Sequence, residues 1–213
     1  MPTTSRDDAY LEPYRRSLER HGPLFEVALW ANPDSQRKRF EVFTQLAYLH
    51  GKRILDAGCG RGDFAAFLIE RGVAFERYIG IDALPRVIEF ASGRDLPNCE
   101  FHCGDLVNDA DLFAIGRPQV ICLSGTLNTM PCDLALRVLE SAWAGAEQTL
   151  LFNFLSSRCG RGAARQTGPA RRMDPLRFLD WALHQTPLVV FRQDYFPQGH
   201  DATIVMRKEK QAK

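Results

Sequence analysis

The stretch Arg53-Ile-Leu-Asp56-Ala-Gly58-Cys59-Gly60-Arg61-Gly62-Asp63-Phe64 sets three glycines on alternate positions after a short apolar run that ends in a carboxylate. Backbone without side chains lets a ligand lie directly against it, so the segment reads as a strand, a bare loop and a helix starting near Gly62 or Asp63, with a nucleotide-like ligand on the loop. Gly60-Arg-Gly62-Asp-Phe-Ala65 also fits the loose GxGxx(G/A) pattern of dinucleotide sites. Asp56 argues against a pyrophosphate, which a carboxylate at that place would repel; it suits a ligand that carries an ammonium group. Two more acids follow in matching places. Asp82 closes Tyr78-Ile-Gly-Ile-Asp82, where it can accept hydrogen bonds from both hydroxyls of a ribose, and Asp105, after His102-Cys-Gly104, can accept one from the exocyclic amine of an adenine. Alone, Asp82 or Asp105 reads equally well as a helix N-cap. Together, the three acids and three glycines point to one ligand.

Such a loop needs a sheet to carry it. Apolar runs at Arg53–Asp56, Tyr78–Asp82, Glu100–Cys103, Gln119–Leu123, Thr149–Phe154, Leu188–Arg192 and Thr203–Arg207 alternate with helical patterns at Asp63–Glu70, Pro85–Ala91, Leu134–Trp143 and Pro175–Leu183. That alternation predicts an α/β fold, a parallel sheet with helices on both faces. The link Asp194 to His200 is too short for a crossover helix, so the last two strands form an antiparallel pair in a seven-stranded, Rossmann-like sheet with its last strand reversed. Residues 1–50 form a helical extension: Asp7–Arg20 closed by His21-Gly-Pro23, then a helix opened by Asn32-Pro33 and running to about Leu49. The extension is expected to pack over one edge of the sheet, with the domain proper at 51–208 and a tail at 209–213.

The chain has 213 residues, room for one well-buried domain, and 27 basic against 26 acidic residues, so no global field draws nucleic acid or a membrane surface. No run is long and apolar enough to span a membrane, and the first residues lack a secretion-signal core; the expected location is cytoplasmic. The six cysteines form no CxxC pair and read as reduced, space-filling residues. A metal site at Cys99-Glu-Phe-His102-Cys103 is not expected, because in a strand His102 faces away from both cysteines.

With these residues the chain resembles the class I S-adenosylmethionine-dependent methyltransferases over about residues 51–208. The resemblance implies that Gly58, Gly60 and Gly62, with Asp56, Cys59 and Asp63 beside them, receive the methionine part. It implies further that Asp82 and Ala83 meet the ribose, Asp105 and Leu106 the adenine, and that Ser124 borders the cofactor after the fourth strand. A narrower likeness, to a largely uncharacterised bacterial group, rests on Trp30-(x)5-Gln36-(x)2-Arg39-Phe40, Ser124-Gly-Thr-Leu-Asn128, Asn153-Phe-Leu-Ser156 and Asp194-Tyr-Phe-Pro197. It implies that Arg39 pairs with the cofactor carboxylate and that Gln36 hydrogen-bonds nearby; read without it, both belong to a solvated helix face. The group's Pro-x-Asp-Phe turn is replaced here by Pro197-Gln-Gly-His200-Asp201-Ala, an insertion that leaves His200 without an inherited role.

Methyl transfer from a sulfonium needs alignment and the exclusion of water more than activation of the leaving group, and a base only for some acceptors. Ser124, Asn128 and Asn153 are the candidates for contact with an acceptor, and none is a strong base. The aromatics Tyr10, Tyr14, Phe25 and Trp30 either roof an apolar acceptor pocket or pack the extension against the domain. Arg158, Arg161, Arg165, Arg171 and Arg172 fall in a segment without an acid, either a solvated loop or a lid for an anionic acceptor. The expected activity is methylation of a small molecule, with S-adenosylhomocysteine as the other product. The alternatives are an RNA-directed enzyme using the Arg158–Arg172 loop and a non-catalytic cofactor-binding partner subunit. Nicotinamide redox chemistry leaves Asp56 and Asp105 without a role.

Overall fold

The structure is a computed structural model that describes residues 6–163, 165–166 and 168–209; of the expected tail only Glu209 falls within them. Its strands are β1 (Arg53–Ala57), β2 (Arg77–Asp82), β3 (Cys99–Cys103), β4 (Val120–Leu123), β5 (Thr149–Ser156), β6 (Arg172–Met173), β7 (Val189–Arg192) and β8 (Asp201–Arg207). The helices are α1 (Glu12–His21), α2 (Pro33–Leu46), α3 (Asp63–Glu70), α4 (Pro85–Ser92), α5 (Cys132–Gly145) and α6 (Pro175–Gln185).

The sheet runs β3-β2-β1-β4-β5-β8-β7, and β8 alone is antiparallel to its neighbours. This is the expected seven-stranded order with a reversed last strand, plus the two-residue β6 beside the end of β5. Sequence patterning missed β6 because it lies in the arginine-rich stretch and has no apolar run. A side chain holds it: Arg172 Nη1 donates to the carbonyls of Ser156 (2.7 Å) and His200 (3.1 Å).

Side-chain alternation sorts the strands onto two cores. Leu55, Ile79, Ile121, Leu150, Phe152 and Ile204 face one way onto α5 and α6, where Phe152 and Phe154 meet Phe178. Ile54, Tyr78, Val120, Leu151 and Val205 face the other way onto α2 and α3, where Phe40, Phe43, Phe64 and Phe67 interlock. Covering both faces this way is what a largely parallel sheet requires.

The N-terminal part departs from expectation in two respects. Pro13 has no N–H to continue a helix from residues before it, so 6–10 form a separate 3-10 turn and α1 begins at Glu12 with the proline in its first turn. The extension also does not lie along a sheet edge. It crosses the carboxyl ends of the strands: Tyr10 hydrogen-bonds Asp105 beyond β3, Trp30 sits against Gly125 beyond β4, and α2 packs on α3. Asn32 caps α2 as expected, its side chain accepting from Ser35 N at 2.8 Å.

One buried ion pair fastens this cover to the sheet. Arg39, 4% exposed on α2, donates through Nε (2.8 Å) and Nη2 to Oδ2 of Asp201, fully buried at the start of β8, and through Nη1 to Ser35 O (2.9 Å). Tyr195 donates to the other oxygen of Asp201 at 2.6 Å. Burial pushes the Asp201 carboxyl up, and Arg39 and Tyr195 oppose that shift. The guanidinium lies between the rings of Trp30 (4.6 Å) and Phe196 (4.7 Å). Asp201→Ala leaves a buried charge without its partner and should cost about 3–5 kcal/mol of stability, read as a lower urea midpoint at unchanged slope; a loss under 1 kcal/mol would show that the pair anchors nothing.

Candidate ligand-binding site

The carboxyl ends of β1, β2, β3 and β4 open into a cavity, partly open to solvent, beneath the N-terminal cover. Asp56, Gly58 to Arg61, Asp82 to Leu84, Gly104, Leu106, Val107 and Ser124 to Thr126 form its floor, and Tyr10, Leu11, Tyr14, Val27 and Trp30 its roof.

The three loop glycines have different reasons to be there. All have positive φ, which only glycine adopts freely. A Cβ on Gly58 would sit 2.5 Å from Thr126 Oγ1, and one on Gly62 would sit 2.8 Å from the Phe101 ring, so both are packed by the protein itself. Gly60 has no neighbour within 4 Å at that point and faces free space. The loop is laid over β2, with Gly58 N and Cys59 N both donating to Ile81 O (2.8 and 3.0 Å).

Asp82 binds the loop from the second strand: Gly60 N donates to Oδ2 and Leu84 N to Oδ1, both at 3.0 Å. Burial raises this carboxyl, and those amides offset the shift. Asp56 points into the α3 side of the sheet and accepts a hydrogen bond from Tyr78. Burial pushes it up to about 7, Tyr78 opposes this, and the charges of Asp82 and Asp63 add to it. Asp63 is ion-paired with Arg94 (2.7 Å) and lies 3.5 Å from Gln36 Nε2. Gln36, Cys59 and Ala83 also border the cavity, and burial holds the Cys59 thiol well above its usual range.

Other residues singled out in the sequence are engaged elsewhere. Arg39 does not line the cavity, because Asp201 and Ser35 take its donors. Asp105 also lies off the cavity wall: its carboxylate accepts from Tyr10, from Val107 N (2.9 Å) and from Asn108 Nδ2 (2.9 Å), while the adjacent Leu106 does line the cavity. Of the three candidates for acceptor contact, Ser124 borders the cavity and the two amides face the protein. Asn153 accepts from Gly125 N (2.8 Å) and donates to Ser124 Oγ (3.1 Å); Asn128 accepts from Leu155 N (3.2 Å). Both amides place main chain. His200 is half-buried with Nδ1 2.8 Å from Arg172 Nη2, which leaves that nitrogen an acceptor and puts the proton on Nε2; burial and the nearby arginines lower it.

Asp201 and Tyr195 were not picked out as site residues. The Asp-Tyr-Phe-Pro turn marked the place, and the pairing across the fold had no local signal. Tyr10, Tyr14 and Trp30 line the cavity, while Phe25 does not. Trp30 occupies the space a side chain on Gly125 would need, its indole 2.5 Å from that Cβ position.

Residues 54–145 match the family described as a methyltransferase domain. A 2-heptyl-1-hydroxyquinolin-4(1H)-one methyltransferase of Mycobacteroides abscessus is 37% identical over 90 residues, 40% of this chain and 37% of that protein. The match thus spans little more than a third of the relative. Among solved structures, a DhpI-SAM-HEP complex superposes with a TM-score of 0.67 at 15% identity over 95% of this chain and 99% of the other. Magnesium protoporphyrin IX methyltransferase from Synechocystis with bound SAM does so with a TM-score of 0.67 at 11% identity over 97% and 100%.

The buried Asp56 has a consequence for stability. Its carboxyl, at 3.8 when unperturbed, is raised to about 7 in the fold, so between those values the folded chain holds a proton that the unfolded chain has shed. The contribution of this group is full below about pH 4 and is lost as pH rises toward 7. Asp56→Asn should therefore gain stability relative to the wild type as urea unfolding is repeated from pH 4 to pH 8. Parallel curves across that range would remove the assigned shift.

Proposed function

We propose that the chain, which matches a methyltransferase domain at residues 54–145 and shares its fold with a structure solved with bound SAM, methylates a small molecule with S-adenosylmethionine as donor. One observation supports the donor site most directly. The open face of Gly60 lies next to a half-buried carboxylate, Asp82, that already orders the loop through the Gly60 amide. A ligand can lie on bare main chain there and place two hydroxyls against the remaining lone pairs of Asp82. Asp56 faces the same cavity and suits an ammonium; Leu84, Leu106 and Met130 offer apolar contact to a ring.

When bound, S-adenosylmethionine supplies an electrophilic methyl group whose leaving group is a neutral thioether. The residues of the chain hold the donor still, exclude water and fix the acceptor. Trp30, held over Gly125 by Arg39, and the Ser124 hydroxyl, held by Asn153, border the cavity beyond β4, on the side of β1 away from Asp82. Rigid walls of this kind align reacting groups, the largest service such a transfer requires. The cover of Tyr10, Leu11, Tyr14 and Trp30 favours a small acceptor over a polymer, and the quinolone enzyme is a relative of that kind.

The RNA-directed reading loses support. Arg158 is ion-paired with Asp174 (3.0 Å), and Arg172 is spent on β6 and His200, so the arginine stretch is partly internal bracing. The partner-subunit reading predicts cofactor binding without turnover on any small acceptor.

Calorimetric titration should give micromolar binding of S-adenosylmethionine and S-adenosylhomocysteine and none of NAD; tight NAD binding with neither of the others would overturn the donor. Asp82→Ala should weaken binding of both by about 1–3 kcal/mol, and unchanged affinity would mean that Asp82 does not contact the ligand.

A further inference from the structure

The resemblance assigned the cofactor carboxylate to Arg39, and the structure gives that guanidinium other work. Its Nε and Nη2 donate to Asp201, its Nη1 donates to Ser35 O, and it is enclosed by two aromatic rings. A carboxylate brought into this cavity would also meet Asp56, Asp63 and Asp82. Taking an anion out of water beside three acids is unfavourable unless a cation receives it.

Arg61 is the one cationic side chain among the described residues that line the cavity. It lies between Gly60 and Gly62 on the ligand loop. Its Nε is buried and has no hydrogen-bond partner, which leaves a strong donor unsatisfied. Its guanidinium is seated on the Phe90 ring, 4.8 Å from the centroid, so its plane is held before any ligand arrives. The main chain beneath it is pinned by Arg94, whose Nη1 donates to Arg61 O at 2.8 Å and to Asp63 at 2.7 Å. That same contact balances the charge of Asp63, while Asp56, bonded among the described residues only by Tyr78, is left to meet an ammonium.

Resting on the donor assignment above, we infer that Arg61 receives the carboxylate of the cofactor's amino-acid end. The loop that bares its backbone to the ligand thereby also supplies the counter-charge, and Asp56 and Arg61, five residues apart, divide the zwitterion between them. A planar guanidinium fits a carboxylate through two parallel N–H donors, which a lysine cannot reproduce.

The test compares S-adenosylmethionine with decarboxylated S-adenosylmethionine, which keeps the sulfonium, the adenosine and the amine and lacks only the carboxylate. Wild type should bind the first more tightly by roughly 10- to 100-fold, the usual range for a hydrogen-bonded charged group. Arg61→Met, close in length and able to keep the packing on Phe90, should bring the two ligands within about twofold of each other by weakening S-adenosylmethionine alone. Arg61→Lys should restore part of the preference. An Arg61→Met protein that still discriminates as wild type does, or that loses affinity for both ligands equally, overturns the assignment. A wild type that binds both equally well overturns it too, with the donor reading intact. A wild type that binds neither removes the donor reading and the inference together.

Discussion

A buried arginine on α2 meets a buried aspartate on β8, and this pair fastens the cover of the cavity to the sheet. Neither charge is tolerable alone in that interior, and the pair is completed by Tyr195 on the carboxylate and Ser35 O on the guanidinium. The rings of Trp30 and Phe196 close the two faces of the guanidinium and transmit its position outward. Through Trp30 that position becomes the shape of the wall beyond β4, since the indole fills the space left by Gly125. An interaction outside the cavity thus decides where its roof lies.

Charge is distributed along the strand ends with similar economy. The acids after β1, β2 and β3 look alike in sequence and have different surroundings. Asp56 is enclosed against Tyr78, Asp82 knits two amides of its neighbourhood together, and Asp105 is held by the roof tyrosine. The glycines divide in the same way: two are required by the crowding of Thr126 and Phe101, and one by open space. A motif of uniform appearance is carried out by residues under separate constraints.

The sheet was legible in the sequence because its apolar runs alternate with helical periods, and the short link before β8 announced the reversal. Asn32-Pro33 marked a helix start with its own chemistry. What stayed hidden was set by distance. The partner of Arg39 is 162 residues away, and the partner of Tyr10 is 95 away; no local pattern encodes such pairings. Asn128 and Asn153 read as polar groups near the acceptor because their strand positions were right. Which side of the main chain an amide serves is decided by the neighbouring backbone. β6 was invisible because two residues that pair with the end of β5 are too short a run to show a strand period.

The separation of Arg39 and Asp201 also sets an order in time. A ribosome adding about 5–20 residues per second delivers the aspartate roughly 10–30 s after the arginine, since 162 residues lie between them. During that interval α2 can fold and its phenylalanines can find α3, but the guanidinium has no carboxylate to bury against. The anchor of the cover can therefore form only after β8 pairs with β5. For this chain, the ligand cavity gains its anchor only once β8 is in place, and that strand acts as its bolt.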